Sequence, residues 1–325
     1  HLANPTGYGR IKRAEKVGFH IVEEKEASLE EKKIKEVNSG LYLLRTSFLL
    51  QELKKISAQN KAHEFYLTDL FKAGISVDLC VFDQADDFQG VNDLKQLEEV
   101  ESFLLKRKKQ SLQEQGVRFL HSPSVIIDWD VKISAGTQIH AGVELRGKTV
   151  VAGDVIIESG CIIKNSCIEK SAVIKAYSYI EEAQVGSFAT VGPFARLRAE
   201  TFIGEFAKIG NFVELKKVKL HKGVKISHLS YVGDAEVGEN TNIGCGFITC
   251  NYDGAEKHFS EIGADTFIGS DTQLIAPIKI GNKVYIASGS TINQDIPDEG
   301  FAIARTRQVT KEKMSSRFIK NKNNT

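Results

Sequence analysis

An aliphatic residue returns at every sixth position through residues 185–292. Val185, Val191, Leu197, Ile203, Ile209 and Leu215 form one run, and after an irregular patch Ile262, Ile268, Leu274, Ile280, Ile286 and Ile292 form a second. A period of six fits neither the 3.6 residues of a helical turn nor the two-residue alternation of a half-buried strand. It fits a hexapeptide β-helix, in which each hexad is one flat side and three sides close a coil. The aliphatic residue then points inward. Glycine often follows it, as at Gly186, Gly192, Gly204, Gly210, Gly244, Gly263, Gly269 and Gly281. That position reads as a tight turn where glycine costs little. An ordinary sandwich would show turn signals roughly every 8–12 residues instead.

The chain has 325 residues, enough for about two domains. A formal net charge of +1 argues against a general polyanion binder, so nucleic acid is not an expected partner. No apolar run is long enough to span a bilayer and no signal-peptide pattern is present, so the expectation is a soluble, cytosolic protein without membrane insertion. Cys80, Cys161, Cys167, Cys245 and Cys250 make no C-x-x-C pair, which reads as reduced, mostly structural thiols. The opening His1-Leu2-Ala3-Asn4-Pro5 reads like the middle of a protein, an N-terminal truncation.

Residues 1–92 carry mixed α/β signals. Residues 19–23, 41–44 and 76–82 are strand candidates, and residues 47–57 have Leu49, Leu50, Leu53 and Ile56 on one helical side. Ser28-Leu29-Glu30-Glu31 is a capping box able to start a short helix. Residues 93–116 read as an amphipathic linker helix with Leu94, Leu97, Val100, Phe103 and Leu104 on its apolar face. Its Lys106-Arg107-Lys108-Lys109 run has no interleaved aromatics and reads as a solvated face. The β-helix is expected over 120–307, with its repeats slipping near Gly147, and 308–325 reads as a basic, poorly ordered tail.

Function belongs where the hexads break their own rule. Arg198 and Lys216 occupy positions that are elsewhere small, and they sit on the same side of successive coils. At the strand spacing of about 4.8 Å two such cations repel by ~3 kcal/mol at an effective dielectric near 20. A phosphate between them turns that repulsion into attraction; the alternative is two solvated charges. A second break holds His228-Leu229-Ser230-Tyr231-Val232-Gly233-Asp234, in which His228 suits a general base and Glu214 a carboxylate orienting it. A lone histidine is more often structural, and no histidine spacing supports zinc. A third break, between Ile243 and Ile262, holds Thr249-Cys250-Asn251-Tyr252-Asp253-Gly254-Ala255-Glu256-Lys257. It reads as an extruded turn reaching a neighbouring subunit through Asn251, Tyr252 and Lys257.

Five motifs together are specific. Gly192-Pro193-Phe194-Ala195-Arg196-Leu197-Arg198, Gly210-Asn211-Phe212-Val213-Glu214-Leu215-Lys216-Lys217, residues 228–234, Ile248-Thr249-Cys250-Asn251-Tyr252-Asp253-Gly254 and Gly269-Ser270-Asp271-Thr272-Gln273-Leu274 closely resemble the GlmU family. Its members join a glucosamine-1-phosphate N-acetyltransferase to an N-acetylglucosamine-1-phosphate uridylyltransferase. Upstream, Asn4-Pro5-Thr6-Gly7-Tyr8-Gly9-Arg10, Ile21-Val22-Glu23, Glu36-Val37-Asn38-Ser39-Gly40 and Gly90-Val91-Asn92 are similar to later motifs of the uridylyltransferase domain.

The resemblance implies the C-terminal part of an α/β uridylyltransferase domain over 1–92, followed by a left-handed parallel β-helix assembled as a homotrimer. It implies that His228, supported by Glu214, takes a proton from the sugar 2-amino group, and that Arg198 and Lys216 hold the sugar phosphate. It lines the sugar site with Tyr231, Asn242, Asn251 and Lys257. It lays acetyl-CoA along Cys245, Asn251, Tyr252, Ser270, Ser288 and Arg305, although the family often has alanine where Cys245 and Ser288 stand. Gly9, Glu23 and Asn38 would touch the nucleotide sugar, and Asn92 would bind Mg²⁺ with an aspartate that has no counterpart here. The glycine-rich phosphate loop is also missing, which puts uridylyl transfer in doubt. The competing readings are a scaffold without chemistry and an acyltransferase with a different acceptor.

Overall fold

The structure, a computed structural model, describes residues 1–14, 18–71, 77–82 and 84–315. Two compact units divide the chain, His1–Leu104 and Leu105–Thr325. Ser76 of the third strand candidate and residues 316–325 of the tail lie outside the described residues.

In the first unit Arg10–Arg13 pairs antiparallel with Phe19–Val22. Ile11, Ile21, Leu70 and Phe71 form its small core, with the Tyr42 ring stacked on Phe71 at 5.0 Å. The capping box forms reciprocally: the Ser28 N–H donates to Glu31 Oε2 at 2.9 Å and the Glu31 N–H to Ser28 Oγ at 3.3 Å. It opens only the single 3-10 turn Glu31–Lys33. The helix expected over 47–57 is α-helical over Thr46–Glu52 and tightens to 3-10 over Leu53–Lys55. Two expected strands are not strands. Residues 41–44 and 77–82 pair with no described strand and instead line a cavity of ≈ 1150 Å³. Leu43 is wholly exposed there, with Leu41 and Phe82 also exposed. A β pattern becomes a ladder only beside an edge that satisfies its N–H and C=O groups, and here no such edge is paired.

The helix Leu94–Glu114 agrees with the amphipathic pattern in extent but not in which face is covered. Leu94, Leu97 and Leu104 are exposed, while Lys109 and Leu112 are its buried residues. Lys109 is thus an exception to the solvated charge run. Its ammonium donates to the Ser122 carbonyl at 2.6 Å and the Val125 carbonyl at 3.1 Å, closing the first coil of the second unit. Burial lowers its pKa.

The second unit is a parallel β-helix. The first parallel pairing is Arg118–Phe119 with Gln138–Ile139, and the last strand is Phe301–Ala302. Each inward aliphatic sits on its equivalent one coil away: Val191 on Ile209, Ile209 on Ile226, Ile226 on Ile243, Ile243 on Ile268 and Ile268 on Ile286. All are buried in one continuous core. Most of these glycines do something other than turn. A Cβ at Gly186 would stand 2.7 Å from the Ile203 carbonyl, and one at Gly204 2.6 Å from the His221 backbone. These two are needed because the next coil is too close, whereas Gly192 does hold a positive φ of 97°. The left-handed φ values fall at the coil corners, at residues such as Tyr177, Phe194 and Phe212. Those three rings stack in file, 5.4 Å apart at each step.

Of the cysteines, all free, Cys161 alone is buried; burial pushes its thiol up to about 11. Cys80, Cys167 and Cys245 are exposed, so they do not have the buried setting expected of structural thiols. Among the described residues no helix is long and apolar enough to cross a membrane. Because Ile209 is fully buried within the continuous core, Ile209→Ala should destabilise the second unit by about 2–5 kcal/mol. Urea unfolding followed by far-UV circular dichroism measures it.

Candidate active site

Two long strands, Lys208–Leu220 and Lys225–Val237, carry Glu214, Lys216, His228 and Tyr231. They pair parallel with Asn211 opposite His228, Glu214 opposite Tyr231, and Lys216 opposite Gly233. On the preceding coil Leu197 pairs with Leu215, and the Arg198 N–H donates to the Leu215 carbonyl at 2.9 Å, which stacks Arg198 on Lys216.

His228 is exposed, and its Nδ1 lies 2.9 Å from Asn211 Oδ1. An amide oxygen only accepts, so Nδ1 carries the hydrogen and Nε2 keeps its lone pair for an incoming proton. Glu214, expected to orient His228, does not. Its Oε1 instead meets Arg198 Nη1 at 3.0 Å. The register explains this, because Asn211, not Glu214, is the residue opposite His228. Asn211 was the residue missed. It sits inside a motif already singled out, and the signal that finds it is its seventeen-residue separation from His228, one coil.

Arg198, Lys216 and Lys257 form a cationic group within one chain. The Lys257 ammonium beside it, with partial burial and Arg198 adding, lowers the Lys216 pKa, and Asp234 opposes them. Among the described residues neither lysine makes an ion pair, while Arg198 is paired only with Glu214. Lys257 arrives on a hairpin, since Tyr252 and Lys257 form an antiparallel bridge. Asn251 does not reach outward as expected. It is buried, and its Nδ2 donates to Asp234 Oδ2. A Cβ at Gly233 would meet the Asn251 amide at 3.0 Å and would collide with the Tyr231 hydroxyl, so the bare glycine lets Tyr231 and Asn251 close around this spot. Tyr252 is exposed, with its hydroxyl donating to the Gly254 carbonyl at 2.6 Å.

The remaining residues fall into file along a corner. From the pairs Ile226–Ile243, Ile243–Ile268 and Ile268–Ile286, the residues two places on, His228, Cys245, Ser270 and Ser288, occupy successive coils. The Asp271 N–H bonding to the Cys245 carbonyl and the Gly289 N–H to the Ser270 carbonyl fix the same file. Arg305 Nη1 then donates to the Ser288 carbonyl at 3.0 Å. Asn242 pairs with Lys225 and Phe267, three places before the corner, and so stands apart from Tyr231 and Asn251. Asn251 and Tyr252 do not join the corner file.

In the first unit Gly9, Glu23 and Asn38 converge. The Cβ site of Gly9 lies 3.5 Å from Glu23 Oε2 and 3.6 Å from Asn38 Cβ. Glu23 Oε1 accepts the Thr68 hydroxyl at 2.6 Å, and Asn38 Nδ2 donates to the Tyr42 hydroxyl at 2.6 Å. Asn92 is exposed, its N–H bonded to Gln96 Oε1. No cluster of three His, Cys, Asp or Glu able to hold a metal occurs among the described residues.

A family model described as the GMPPB C-terminal domain matches residues 123–213, and one described as bacterial transferase hexapeptide (six repeats) matches residues 259–294. The bifunctional protein GlmU of Thermosipho melanesiensis is 42% identical over 311 residues, covering 96% of this chain and 68% of that protein. The chain belongs to the GlmU family. The GlmU of Staphylococcus epidermidis is 45% identical over 314 residues, covering 95% of this chain and 69% of its own length. Among solved structures, an Arabidopsis UDP-N-acetylglucosamine acyltransferase aligns over 55% of this chain and 69% of its own, at 13% identity and a TM-score of 0.41, too loose a likeness to carry an argument.

Because like charge lowers the Lys216 pKa, an anion between the lysines must raise it. Inorganic phosphate should therefore bind with uptake of protons, and its affinity should fall as pH rises through the depressed Lys216 pKa. Isothermal titration in buffers of different ionisation enthalpy measures that uptake.

Proposed function

We propose that this GlmU-family chain transfers an acetyl group from acetyl-CoA to the 2-amino group of glucosamine-1-phosphate. The observation that carries the reading is the pairing of two long strands that holds a base, His228, at a fixed register from the Arg198–Lys216–Lys257 cations.

The reaction is attack of a neutral amine on a thioester carbonyl. The nitrogen must lose a proton, and His228 Nε2 takes it while Asn211 holds Nδ1–H. The sugar phosphate sits among Arg198, Lys216 and Lys257, with Tyr231 and Asn251 beside the sugar ring. The family resemblance supports this placement, as does the charge otherwise left unbalanced. Acetyl-CoA runs along the corner of Cys245, Ser270 and Ser288 toward Arg305. The Cys245 amide, one coil from His228, is the candidate donor for the developing oxyanion. The departing CoA thiolate takes up a proton, and no covalent enzyme intermediate is needed. Glu214 acts on Arg198 rather than on the base. We assign a homotrimer on the family resemblance, which leaves room for a neighbour's residues at the exposed Tyr252.

The first unit keeps Gly9, Glu23 and Asn38 together as a surface for a nucleotide sugar. A non-catalytic scaffold would have no use for an exposed histidine bonded through Nδ1 to Asn211 on the same strand pair as the unpaired Lys216.

His228→Ala should lower acetyl transfer by ~10²–10⁴-fold while acetyl-CoA still binds. A thiol-release assay with equilibrium binding checks both, and near-normal kcat would remove His228 as the base. Arg198→Ala or Lys216→Ala should weaken glucosamine-1-phosphate far more than glucosamine. Equal losses for the two acceptors would make these residues structural.

A further inference from the structure

The hairpin that delivers Lys257 is closed by two side chains to which the acetyl-transfer reading gives no task. Asp253 Oδ1 accepts the N–H groups of Ala255 at 2.8 Å and Glu256 at 2.7 Å. Its other oxygen, Oδ2, lies 2.6 Å from His258 Nε2. The His258 N–H donates to the Asn251 carbonyl at 2.8 Å, and Asn251 is tied in turn to Asp234. Asp253 and His258 therefore staple the two arms of a loop whose tip, residues 253–257, is exposed. Lys257 lies between them in sequence, next to the staple, and its ammonium stands beside that of Lys216.

That position is unfavourable in the free protein. Two ammonium groups repel, and an untethered lysine on an exposed loop would swing into solvent, where it also gains rotamer freedom. The Tyr252–Lys257 bridge holds the backbone of Lys257 over the coil before an anion arrives, and the side chains of Asp253 and His258 brace that bridge. The hydrogen bond between Asp253 Oδ2 and His258 Nε2 is, among the described residues, the one contact between two side chains that joins the two arms across the loop. It is oriented by two backbone N–H donors to the same carboxylate, which makes it stiffer than a free surface pair.

We propose that His258 is a positioning residue for the acceptor phosphate: through Asp253 it locks the hairpin so that Lys257 completes the cationic group with Arg198 and Lys216. The proposal rests on the acetyl-transfer reading for its substrate, but not for its geometry. Lys257 held in advance means less ordering on binding, so the gain appears as affinity for the phosphate and not as rate at the amine.

The test compares His258→Ala and His258→Gln with the unaltered chain. His258→Ala should raise KM for glucosamine-1-phosphate roughly tenfold, the loss expected for a charge-assisted bond, and leave kcat and the KM for acetyl-CoA in place. Glutamine, which can still donate to Asp253, should restore most of the affinity. A second readout needs no turnover: the Lys216 side-chain amine titrated by NMR should move back up toward the ordinary lysine pKa in His258→Ala, because Lys257 has swung away, and stay low in His258→Gln. Loss of kcat together with every KM, no change in the alanine variant, or an unmoved Lys216 titration would each overturn the proposal. If the unaltered chain does not acetylate glucosamine-1-phosphate at all, the acetyl-transfer reading falls while the Lys216 titration still decides whether the staple places Lys257.

Discussion

Every feature of the second unit follows from parallel strands stacked coil on coil. Strand spacing is fixed near 4.8 Å by the backbone hydrogen bonds, so a residue is forced to lie over its equivalent one coil away. The inward file of Val191, Ile209, Ile226, Ile243, Ile268 and Ile286 is then a continuous buried core rather than separate contacts. The same constraint acts on the outside. Side chains brought into register must either stack, pair or repel, and the chain uses all three. Tyr177, Phe194 and Phe212 stack, Lys164 pairs with Glu181 at 3.0 Å, and Lys216 and Arg198 are left to repel.

The corners show what the stacking offsets. Phe194 and Phe212 hold φ near +55° and +57°, a region unfavourable for any residue with a bulky side chain. Glycine would remove that strain. A ring at the same place meets the ring of the next coil at 5.4 Å, an arrangement worth about 0.5–1.5 kcal/mol beyond area burial. The stack therefore returns part of the backbone cost, and the corner keeps a defined side chain next to the His228 file. Where coils approach too closely for any Cβ, as at Gly186 and Gly204, no such exchange is possible and glycine is required.

The hexad period made the β-helix legible because burial enforces it at every coil. It also made the stacking of Arg198 on Lys216 legible, since register alone decides it. What was not legible depended on contacts between coils that no short motif encodes. Asn211 lies in the same run as Glu214, and only the pairing of Asn211 with His228 shows which of them reaches the ring. Asn251 carries the loop's most suggestive polar group, yet its partner, Asp234, belongs to the coil below. Lys109 looked like part of a solvated run because helical periodicity says nothing about the carbonyls of Ser122 and Val125 that receive it. In the first unit, residues 41–44 and 77–82 have strand composition without a paired edge, and composition cannot report the edge.

The geometry also explains why base and cations need not touch to act together. His228 and Tyr231 share one strand, and Glu214 and Lys216 share its partner. Their separations are set by a ladder of paired residues from Lys208–Lys225 to Leu220–Val237. Such a ladder has little freedom along the strand, because slipping by one residue would turn every inward aliphatic outward. The distance from phosphate to proton acceptor is thus protected by the same core that stabilises the fold. Arg198 is stacked on that ladder from the preceding coil, whereas Lys257 comes from the hairpin, whose tip is exposed. A catalytic arrangement built this way keeps its fixed elements on the coil and leaves its adjustable element on the loop, where hydrogen bonds and not burial must hold it.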